Sequence, residues 1–238
     1  MASSWRSPLQ ILAWTAAMAL VAAALLDIVL GFNILSAPPV RAEGSDFIDF
    51  LEIRFAWDRD RLPLDVASAV LYSLAFLAMA GVGLILGRSS FGAGERGSIL
   101  ATAFLAAGIL GAAAQLVYLG AAQLAADPAF CDCGYRAEEV LGRLEALHVA
   151  VNQQLLLTQA ALVAAAVGFF TAASLGRAAG WSGWWPILST AIGAMLLAGV
   201  AAEVLALELV PELIMLATVG LLIPAWAIGL ARTYPQAT

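Results

Sequence analysis

The residues best suited to chemistry in this chain are few and lie together in register. His148 is the only histidine of 238 residues, and it recurs at helical spacing with Glu145, Asn152 and Gln159, flanked by Gln153 and Gln154. Asp27, Tyr72, Gln115, Tyr118 and Glu203 stand in other apolar segments. Counted at about 1.5 Å per residue, they fall at comparable depth toward the same side. Ser68 shares that depth, and Gln159 alone approaches the middle. Hydrocarbon cannot satisfy such groups, so they must face other helices, trapped water or a ligand.

This set supports two chemistries. One is a hydrogen-bonded polar core, with Glu145 or Glu203 pairing to His148 or Arg143. The other is a binding or reactive site: Asp27, Tyr72, Gln115, Tyr118, Glu145, His148, Asn152 and Glu203 line a pocket for a cation or small ligand. As an enzyme, His148 would be the acid or base, with Glu203 or Asp27 as its carboxylate partner. A lone histidine excludes haem held by two histidines within one chain, but allows a pigment or a shared haem with one axial ligand. A metal site would draw on His148, Cys131 and Cys133 with Glu145 or Glu203, because zinc hydrolases want three protein ligands.

Cys131 and Cys133 are the only cysteines and are separated by Asp132 alone. They are candidates for a disulfide, for free or intermolecular thiols, or for metal binding. Residues two apart can meet the Cα separation a disulfide requires, about 4.4–6.8 Å. The redox spacing of thioredoxin-like proteins needs two intervening residues.

The elements that must position these groups are membrane helices. Hydrophobic residues make up 63% of the chain and charged ones 12%, with a mean hydropathy of +0.92. Crossing a hydrocarbon core of about 30 Å takes roughly 20 apolar residues. Six segments suffice: Leu9 to Leu35, Leu64 to Leu86, Ser98 to Leu124, Leu144 to Leu175, Trp184 to Leu207, and Glu212 to Ala231. The expected fold is an all-α, six-helix membrane bundle forming one domain over residues 1–238. Small residues at four-residue spacing, Gly83 with Gly87 and Ala107 with Gly111, favour close helix approach. Pro224 should kink the sixth helix.

Arginine placement sets the expected orientation. Arg6, Arg88, Arg96, Arg177 and Arg232 flank the segments on one side, which predicts cytoplasmic termini in a bacterial inner membrane. The other side is acidic, in a chain of net charge −6, which disfavours nucleic acid and favours cations or basic protein surfaces. Lysine is absent, so retinal-type Schiff-base chemistry is excluded. Between the first two spans, Phe47, Ile48, Leu51 and Phe55 alternate with Asp46, Asp49 and Glu52 as an amphipathic helix would. It is expected to lie on the external surface, as a cap, a lid or a docking surface, with Trp57 at the headgroups.

Two resemblances bear on function. Gly180-Trp-Ser-Gly183 resembles the GxSG motif of rhomboid proteases, but no histidine follows Ser182 to act as its base. The stretch from Trp184 to Leu230, with ILSTAIGAMLLAG and LLIPAWAIGLAR, resembles uncharacterised bacterial six-helix membrane proteins grouped as a domain of unknown function. That resemblance covers roughly the last third and implies no site residues. The functional expectation is a non-enzymatic accessory subunit or sensor in the lipid bilayer, binding a cation, a small ligand or another membrane-protein subunit. The alternatives are an enzyme at the outer leaflet and a proton- or cation-coupled transporter.

Overall fold

A computed structural model describes residues 6–31, 40, 47–89, 94–126, 137–181, 183–205, 207 and 209–233. The described helices are α1 (Arg6–Gly31), α2 (Phe47–Arg88), α3 (Glu95–Ala125), α4 (Ala137–Ala178), α5 (Trp184–Val204), α6 (Leu209–Ala217) and α7 (Ile223–Thr233). A π-helical turn, Thr218–Leu222, joins α6 to α7. Six stretches are long and apolar enough to cross a membrane, the sixth running from Val210 to Thr233 through the π turn. The all-α bundle expected from hydropathy is what forms.

Each helix from α1 to α5 packs on its successor in sequence, and α7 closes the ring against α1. Alternating direction brings Arg6, Arg88, Arg96, Arg177 and Arg232 to one end, here the arginine end. The opposite end, here the acidic end, carries Asp27, Asp58, Asp65, Glu145, Glu203 and Glu212.

The core lies toward the arginine end and is built on aromatic rings. Phe169 meets Phe104 and Trp226 edge-on, at centroid distances of 5.2 and 5.1 Å, and Trp226 stacks on Trp185 at 5.2 Å. Such contacts add to the dispersion that holds helices together where lipid removes the hydrophobic drive. Two hydrogen bonds run through this core: the Trp226 indole donates to Ser189 Oγ at 2.8 Å, and Ser189 donates to the Trp185 carbonyl at 2.9 Å. Helices α2 and α3 meet at backbone distance, as their small residues predict. A methyl group at Gly83 would run into Phe104, and one at Gly108 into Ala80 and the Phe76 carbonyl.

Three local features differ from expectation. The amphipathic stretch after Phe47 is no separate surface helix: it continues unbroken into the second span, making α2 42 residues long. Pro63 sits inside it, exposed, and brings no N–H to the backbone of that turn. α4 is also 42 residues, longer than its apolar stretch. In the last span a π turn stands directly before Pro224, an arrangement that absorbs the i→i−4 bond proline cannot make. The end of α4 follows the rules for a glycine stop. Gly180 takes φ +70°, and the amides of Gly180 and Trp181 return to the carbonyls of Arg177 and Gly176 at 3.2 and 3.0 Å.

Candidate functional site: the acidic end of the bundle

The polar residues at the acidic end separate into two groups on different helices. In the first, both oxygens of the Asp27 carboxylate on α1 accept hydrogen bonds from α2. Ser68 donates to one at 2.8 Å and Tyr72 to the other. Tyr118 on α3 donates to Asp65 on α2 at 2.8 Å. These pairs are neighbours, since Asp65 and Ser68 stand one helical turn apart on α2.

Why α2 supplies this layer is plain from its register. Asp65, Ser68 and Tyr72 are spaced i, i+3, i+7 and so share one face. One turn further out, Arg61 donates to the Leu30 carbonyl at 3.0 Å, capping the C-terminal end of α1 where helix carbonyls lack partners. Arg61 and Arg54 also stand over the Trp57 ring, at 4.1 and 4.6 Å from its centroid, and Arg54 pairs with Asp58 at 3.5 Å. The extension of α2 is thereby locked to the end of α1.

The second group is the α4 stripe. Glu145, His148 and Asn152 are exposed, and no α4 residue from 142 to 160 is buried. The ring Nε2 of His148 lies 3.0 Å from the amide nitrogen of Asn152, a bond within one helix. Among the described residues, no hydrogen bond or ion pair joins His148 to Asp27, Glu145 or Glu203. Glu203, near the end of α5, and Gln115, on α3, are half-buried. The residues expected as a single cluster thus stand as two groups, because their helices turn them to different faces.

Helix length also moves the stripe outward. At about 1.5 Å per residue, Asp27 is about 29 Å along the axis from Pro8, Asp65 about 35 Å from Arg88, and Tyr118 about 33 Å from Arg96. Those values place the first group at the margin of a hydrocarbon core about 30 Å thick. His148 is about 44 Å from Arg177, beyond that margin.

Among the described residues, no three of His, Cys, Asp and Glu gather as a metal-binding set. Cys131 and Cys133, candidates for metal binding or a disulfide, lie outside the described residues, as does Ser182 of the GxSG stretch. Two functional candidates were not singled out from sequence, Asp65 and Arg61. Asp65 was detectable, because it begins the i, i+3, i+7 series that Ser68 and Tyr72 complete. Arg61 was not, because its acceptor is a backbone carbonyl on another helix.

No protein-family model, no curated protein and no solved structure matches this chain.

Proposed function

We propose that this integral membrane protein is a non-enzymatic accessory subunit or sensor, whose acidic end docks a partner membrane protein along the projecting face of α4. The observation that carries this is the unburied stretch of that helix from residue 142 to 160. Val149, Val151 and Leu156 are 48%, 48% and 65% exposed beside the polar residues Glu145, His148 and Asn152. An apolar and polar surface mixed on this scale is what a protein interface presents. The first group suits a supporting role, because the Asp27 oxygens are already taken by Ser68 and Tyr72 and hold α1 to α2. The arginine placement supports cytoplasmic termini in a bacterial inner membrane, with α4 projecting outside. The acidic charge of that face favours a partner with a basic surface.

A photo-crosslinking amino acid placed singly at residues 145, 148, 149, 152 and 156 of the full chain, and on the other faces of α4 at residues 147, 150 and 154, in the native membrane, tests this reading. Adducts to one protein are expected from a single face of α4, and they should vanish when His148→Ala and Asn152→Ala are combined. Crosslinks to lipid alone, or equal yields from every face, would refute docking. Orientation is checked in a Cys131→Ser, Cys133→Ser background, where a cysteine at Ser90 should resist a membrane-impermeant label on intact cells.

A further inference from the structure

At the arginine end, α1 and α7 enclose an open groove of about 610 Å³ lined by Gln10, Ile11, Trp14, Thr15, Ala231 and Arg232. We infer that this groove binds the phosphodiester headgroup of an anionic phospholipid, with an acyl chain lying along α1.

Its construction matches an amphiphile. The Gln10 amide donates to the Ala231 carbonyl at 3.1 Å, tying the two helices together beneath the groove. Arg232 stands at the rim with its guanidinium 5.9 Å from the centre of the Trp14 ring. Arg96 and Arg177, at the same end, reach instead to the hydroxyls of Ser174 and Thr190, at 3.2 and 2.8 Å. Among the described residues, no carboxylate pairs with Arg232. Among the described residues the groove lining therefore carries one formal charge, and it is positive. Guanidinium donors match phosphate oxygens in geometry, and tryptophan prefers the headgroup level.

The apolar part of the ligand has a track of its own. Ile11, Trp14, Met18, Val21 and Leu25 are 62%, 39%, 62%, 36% and 58% exposed, and their spacing of three and four residues makes one stripe along α1. From Ile11 to Leu25 that stripe is about 21 Å long, enough to cover one leaflet of a hydrocarbon core about 30 Å thick. A free phosphate would use the groove and leave the stripe bare. A zwitterionic headgroup would bring an ammonium to a lining that, among the described residues, holds no carboxylate.

Native mass spectrometry of the full-length protein in detergent tests the assignment. Phosphatidylglycerol, phosphatidylcholine and water-soluble glycerol 3-phosphate would be titrated separately. One retained phosphatidylglycerol is expected, with phosphatidylcholine weaker and no glycerol 3-phosphate adduct. Arg232→Gln should weaken phosphatidylglycerol binding about fivefold, the effect of roughly one basic residue at an anionic surface, and leave phosphatidylcholine unchanged. Arg232→Lys should retain most of the preference, which separates lost charge from misfolding. Equal binding of the two lipids, no change in Arg232→Gln, or a glycerol 3-phosphate adduct of equal strength would each overturn the proposal.

Discussion

The two ends of this bundle are held together by different physics. At the arginine end, large rings fill the space between helices, with Trp185 and Trp226 at 1% and 0% exposure. At the acidic end, the helices are joined by hydroxyl-to-carboxylate hydrogen bonds, and no α4 residue from 142 to 160 is buried. The contrast teaches that shape complementarity secures one end and leaves the other end to polar contacts. Polar contacts between membrane helices average only about 0.6 kcal/mol each, whereas removing a buried aromatic side chain costs about 3–5 kcal/mol. Stability is therefore concentrated away from the surface proposed to meet a partner.

Three substitutions can break or sharpen that contrast. Trp226→Ala empties the centre of the aromatic cluster and leaves Ser189 without its indole donor. A loss of about 3–5 kcal/mol is expected, measured by denaturant unfolding in detergent or seen as failure to accumulate. Tyr72→Phe removes one hydrogen bond from Asp27 while keeping the ring, and should cost about 0.6–1.7 kcal/mol in the same assay. A cost equal to that of Trp226→Ala would mean that the acidic end carries as much stability as the aromatic core. His148→Ala should change stability by less than about 0.5 kcal/mol, because the ring is exposed and, among the described residues, bonds only within its own helix. If that variant unfolds, the α4 stripe belongs to the structural core and the contrast fails.

Much of the fold was legible from hydropathy, because a span needs only length and apolarity, and all six are present. The close approach of α2 and α3 was legible too, from Gly83 and its small neighbours. The azimuth of each helix was not. Asp27 and His148 have similar sequence signatures, a polar group among apolar ones, yet one is bonded across to α2 while the other faces away from the bundle. Depth follows from counting residues, but facing depends on which neighbours a helix meets. The lengths of α2 and α4 were also hidden, since a helix leaving the membrane becomes polar and its hydropathy signal ends before the helix does.

The π turn in the last span has a consequence for phase. An i→i+5 turn carries an extra residue, and one residue rotates a helix by about 100°. The side chains of α6 are therefore out of step with those of α7. Ile223, Trp226, Ala227, Leu230 and Ala231 form a regular buried stripe on α7, while Leu213, on α6, is 65% exposed. The last span thus behaves as two short stripes offset in angle. The offset lets one chain segment present α6 to α5 at the acidic end and α7 to α1 at the arginine end.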